Sequence, residues 1–151
     1  SGLLTEGSRS KVARYMDGLL SKWPIEDEVF QKTVRIIRSI CEKGHAVVVG
    51  RGACKIAEDM PKGFHVRIVA PLAWRVDQVS SFYRLSKEEA TRRIRLMDAE
   101  REAFLRRYFN EDIANSDLYD MVLNQARLSM DTIVDLVVMG MKSRGMIRPE
   151  A

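Results

Sequence analysis

Three short apolar runs, at 45–49, 64–71 and 119–124, are separated by longer stretches in which apolar residues recur every third or fourth position. That alternation constrains the fold more than any other feature. Runs that are apolar on both faces suit strands of a parallel sheet covered by helices. Parallel neighbours in turn need a helical crossover between them. The predicted class is α/β, a three-layer arrangement with a small parallel sheet of about three strands flanked by helices. A chain of 151 residues favours one domain, 1–151, with a core large enough to fold alone.

The helices are read from spacing and end signals. Val12, Tyr15, Met16, Leu19 and Leu20 predict a helix over 10–20, and Pro24 disfavours helix just after it. Acidic residues at 26–28 suit the start of a second helix, with Phe30, Val34, Ile37 and Cys41 as its stripe and Gly44 at its end. A short helix is expected over 53–60, a turn at 61–63 and a helix from Leu72. Ser86 and Glu89 form a capping box opening a helix that runs to about Tyr108. Residues 110–117 read as a polar loop, and Ser129 caps a last helix ending near Ser143.

Composition narrows the function classes. The net charge is +4, from 25 basic and 21 acidic residues. So small an excess argues for a mixed surface, not for a nucleic-acid partner. Two cysteines, Cys41 and Cys54, stand outside any CxxC or Cys/His pattern; a reducing cytoplasm fits them, and neither a disulfide framework nor a metal site is expected. No apolar stretch approaches the ~20 residues of a membrane span.

Ligands of α/β sheets bind beyond the carboxyl ends of the strands. Gly50-Arg51-Gly52 follows the first apolar run directly. Glycines allow close backbone approach, and an arginine grips a phosphate with two parallel N–H bonds; the plain alternative is a turn with a solvated arginine. On the long helix, between Arg84 and Arg107, cations outnumber carboxylates by three. Ala90, Ile94, Met97, Phe104, Leu105 and Tyr108 trace its apolar stripe, and Asp98 and Arg101 lie on or beside it. Either they form an i,i+3 ion pair worth a few tenths of a kcal/mol, or Asp98 orients Arg101 toward a polyphosphate. Arg75, one turn into the helix after the second strand, and Asn124, at the end of the third, also face that crevice. The plain readings are a surface cation and a turn residue. His45 and His65 begin strands at the opposite end and have no catalytic partner in the sequence.

The segments 47–53, 65–79, 85–102 and 119–129 together resemble the cytidylate kinase-like family of nucleoside monophosphate kinases. The likeness covers roughly the C-terminal two-thirds of that fold. It implies a truncated P-loop-kinase-like domain with a helical lid at about 83–112. It assigns Arg51 to the monophosphate's phosphate, and Asp98 and Arg101 to the D-x-x-R of the lid, which grips phosphate and stabilises the transferring charge. Two positions depart from the pattern. Gly52 stands where the family has an aspartate, and the lid arginine expected four residues before Asp98 falls on Ile94, flanked by Arg93 and Arg95.

The resemblance implies phosphoryl transfer from ATP, with Mg²⁺, to a monophosphate such as CMP. No G-x-x-x-x-G-K-[ST] or shorter glycine-rich phosphate loop occurs in the 151 residues. Loop amides and a lysine ordinarily cradle the phosphates, and a loop Ser/Thr holds the metal. The expectation is a degenerate or incomplete relative, inactive as an isolated chain, that binds a nucleotide or other phosphorylated small molecule. The alternative is a non-catalytic structural or regulatory homodimer that keeps only the kinase core. The family's phosphate-loop strand lies between those matching 45–49 and 65–70. Three repairs of its loss are expected: the strands close up, a second chain or the 10–20 helix covers the edge, or the chain is a fragment of a longer product.

Overall fold

A single parallel strand pair anchors the described part of the chain, residues 27–147 of a computed structural model. The elements run α1 (Asp27–Lys43), α2 (Ala53–Ile56), β1 (Val66–Val69), α3 (Leu72–Tyr83), α4 (Lys87–Phe109), a 3₁₀ turn (Ser116–Leu118), β2 (Met121–Asn124) and α5 (Met130–Ser143). The chain divides between Thr33 and Val34 into two units, and everything that follows concerns the second. The predicted 10–20 helix and Pro24 lie outside the described residues.

β1 and β2 pair in parallel, with Val66 opposite Met121 and Val69 opposite Asn124. The class is mixed α/β, as expected from the alternation, but the sheet among the described residues has two strands, not about three. Residues 45–49 do not form the predicted first strand. An apolar run supplies only the propensity, and a strand needs a partner backbone. Left-handed residues bound the segment on both sides: Gly44 (φ 71°) and His45 (φ 55°) before it, Gly50 (φ 75°) and Arg51 (φ 59°) after it. The run does not close up against β1, and Val47 is 93% exposed.

The helices follow their signals closely. Gly44 ends α1 by donating its N–H to the Cys41 carbonyl at 3.0 Å. α2 stops at Ile56, earlier than expected, and tight turns carry the chain on to Met60. At α4 the capping box is complete: the Ser86 hydroxyl accepts from the Glu89 amide at 3.2 Å, and the Ser86 amide donates to the Glu89 carboxylate at 3.0 Å. Ser129 caps α5 in the same way through the Thr132 amide.

The α3–α4 pair supplies the crossover between the two strands. Val76 of α3 packs with Ala90 and Ile94 of α4, with Leu72 and Val79 around them. Fully burying side chains of this size stabilises by about 1.5–3 kcal/mol each. Ala90, without exposed surface, lets the two helices approach closely.

Candidate functional site

The carboxyl end of β1 leads directly into α3. Pro71 follows β1, and its carbonyl accepts the Arg75 amide at 3.1 Å, so Arg75 sits one turn into α3. On α4, Ala90, Ile94, Met97 and Leu105 are buried. At 100° per residue, Arg101 projects from the middle of that buried arc, where the spacing 94, 97, 101, 104, 108 calls for an apolar residue. A cation in a core stripe breaks the local rule, and such breaks collect at functional positions.

Asp98 joins the two helices. Arg75 Nη1 donates to Asp98 Oδ1 at 2.9 Å and to Oδ2 at 2.8 Å, and Arg101 Nη2 donates to Asp98 Oδ1. The side chains are about one-third exposed for Arg75 and Asp98, and 45% for Arg101. Solvent therefore weakens the pairs, leaving each worth up to about 1 kcal/mol. All the Arg75 contacts to Asp98 run through Nη1, and its Nε is buried with no hydrogen-bond partner among the described residues.

The loop 50–52 is held in the left-handed region throughout, with φ of 75°, 59° and 67°. Its carbonyls start α2: Gly50 accepts from Ala53 at 3.1 Å, and Gly52 accepts from Lys55 and Ile56 at 2.9 and 3.0 Å. Gly52 lies under the rings of Phe104 and Phe109; a Cβ there would stand 2.6 Å from Phe109 Cε2 and 3.2 Å from Phe104 Cε1. Lys55 adds a bond of 3.3 Å to Glu111, just past α4. The Asn115 side chain and this lysine together hold the Glu111 carboxyl below its ordinary range. The loop is thus anchored one helical turn beyond Arg101. Next to it, burial pushes the Cys54 thiol upward.

Not every candidate joins this group. Arg93 lies over the Tyr83 ring, 4.5 Å from its centroid. Arg95 projects about 120° around α4 from Arg101 and is exposed. Asn124 ends β2 and spends its side chain locally: Oδ1 accepts from the Ala126 amide at 3.0 Å, while its carbonyl takes the Arg127 and Leu128 amides. That is the behaviour of a turn residue. The Arg75–Asp98 bond spans 23 residues, and sequence spacing gave no sign of it.

Two hollows lie elsewhere. One of about 210 Å³, at the amino ends of the strands, is bordered by His65, Asp120 and Arg144. Another of about 380 Å³ lies between α3 and α4 beside Leu72, Asp77 and Lys87. Neither is lined by Arg51, Arg75, Asp98 or Arg101. Neither hollow gathers two arginines on one point, as the cluster at Asp98 does. No helix among the described residues is long and apolar enough to cross a membrane.

A parallel strand pair bridged by two helices, the second rich in arginine, makes this a mixed α/β protein. The chain belongs to the cytidylate kinase-like family, whose profile matches residues 3–127. It is also similar to a protein named uronate isomerase from Corynebacterium glutamicum, at 29% identity over 108 residues. That match takes in 72% of this chain and 20% of the other, so the chain spans about one-fifth of that relative's length. Among solved structures, an uncharacterized protein from Eubacterium ventriosum shares the fold, with a TM-score of 0.72 at 21% identity, over 83% of this chain and 70% of that one.

Proposed function

We propose that the chain binds a phosphorylated small molecule of the nucleoside monophosphate kind, CMP first among them, beyond the carboxyl ends of β1 and β2. Arg101 and Arg75, which meet at Asp98, grip its phosphate, and Arg51 approaches from the loop. One observation supports this above the others: two arginines from different helices converge on a single carboxylate, one of them from within an apolar stripe.

Family membership makes phosphoryl transfer from ATP the related reaction. The residues present do not fit ATP–Mg²⁺: the 151 residues hold no phosphate loop, and the described ones hold no cluster of His, Cys, Asp or Glu suited to a metal. We read the chain as a binding protein, a degenerate or incomplete kinase relative of the cytoplasm.

Calorimetry with CMP, dCMP and ATP tests the reading. CMP is expected to bind, and Arg101→Ala to weaken it about ten- to one-hundredfold, the worth of a charge-assisted bond. Arg95→Ala is expected to leave it unchanged. CMP affinity indifferent to Arg101→Ala would overturn the assignment. A second reading, a structural homodimer, draws on the exposed valines of 45–49. A sedimentation experiment showing a dimer that binds no phosphate ligand would favour it.

A further inference from the structure

We propose that Asp98 is an internal stand-in for the bound anion: the arginine site is occupied by the chain's own carboxylate until a ligand with at least three acceptor oxygens displaces it. The proposal rests on the reading of Arg75 and Arg101 as the phosphate grip, and adds how that grip is regulated and which anions it admits.

Both oxygens of Asp98 are committed. Oδ1 takes hydrogen bonds from Arg75 and Arg101, and Oδ2 takes a second from Arg75. A carboxylate that served only to aim Arg101, three residues away on the same helix, would need no second guanidinium. This one lies between two cations from two helices, where an anion bridging them would lie.

The donors also outnumber what Asp98 can satisfy. Each guanidinium carries five N–H groups, and a carboxylate offers two oxygens and one charge. Arg75 meets Asp98 only through Nη1. The edge formed by Nε and Nη2, which suits a bidentate oxyanion, makes no contact with it, and Nε is buried without a partner. A phosphate dianion brings three oxygens and up to two charges, so it replaces every bond that Asp98 gives up and sets a second negative charge between the two guanidiniums. A carboxylate ligand replaces only what was lost. The self-occupied site therefore excludes monoanions with two oxygens and admits phosphates. Every ligand pays for opening it, which lowers apparent affinity. Displacement also releases the ion pair that ties α3 to the middle of α4.

The test is calorimetric titration of the 151-residue chain with inorganic pyrophosphate and with acetate, at fixed ionic strength. Wild type, Asp98→Asn, Asp98→Ser and Arg101→Ala are compared. Both Asp98 variants are expected to bind pyrophosphate about five- to tenfold more tightly. Their preference for pyrophosphate over acetate should narrow, because acetate no longer competes with a built-in carboxylate. Arg101→Ala should lose binding. Weaker or unchanged pyrophosphate affinity in the Asp98 variants would overturn the proposal and leave the phosphate site standing, with Asp98 as a positioning residue. No pyrophosphate binding by wild type or any variant would overturn the phosphate reading and this proposal with it. Asp98→Ser keeps the test open should Asp98→Asn fail to fold.

Discussion

At the scale of single residues, the glycine of the arginine loop is the most constrained position. Gly52 has φ 67° and no room for a Cβ beneath Phe109, whereas Gly44 has φ 71° and open space around it. Left-handed backbone costs a side chain about 1–2 kcal/mol. Gly44→Ala should lose about that much in urea denaturation, and Gly52→Ala clearly more, because Phe109 must also move. The capping residues give a pH prediction. The Ser86 amide and hydroxyl hold the Glu89 carboxyl below its ordinary value of 4.5. Stability from a lowered carboxyl is present above that ordinary value and is lost as pH falls through the folded one. The stability difference between wild type and Glu89→Gln should therefore shrink on acidification below about pH 4.5. This cap was legible in the sequence because its partners are three residues apart. The Arg75–Asp98 bond was not, since only packing brings α3 to α4. Arg101 fell between: its place in the stripe and a second arginine facing the same crevice could be read, but not that both would meet at Asp98.

At the scale of elements, α4 depends on α3. Ile94→Ala removes a side chain packed on Val76 and should cost about 2–5 kcal/mol by chemical denaturation. The longer helices α1, α3, α4 and α5 were legible nearly to the residue, because caps and periodicity are local, whereas α2 ends at Ile56, short of the expected 53–60. The failure at 45–49 shows the limit of such reasoning. The run has strand composition, yet pairing depends on a neighbour that composition cannot report. Amide exchange should show the difference directly. Amides of 46–48 should exchange with little protection, while those of Met121 and Gln125, which donate to the carbonyls of His65 and Val69 along the strand pair, are protected. Protection at 46–48 equal to that of β2 would contradict the absence of the strand.

At the scale of the whole molecule, family membership and structure agree on the α/β class. Apolar surface is left in the open at Val47, Val49 and Ile68. Salts that strengthen apolar burial should promote association, so sedimentation in rising ammonium sulfate should reveal it. Val47→Lys should suppress that association while changing stability by less than about 0.5 kcal/mol. The seating of Gly52 against Phe104 and Phe109 has a mechanical result. Turning the last turns of α4 would drag the rings across the loop, so loop and helix travel as one lever. A substitution that tilts the end of α4 would therefore be felt at the loop that carries residue 51.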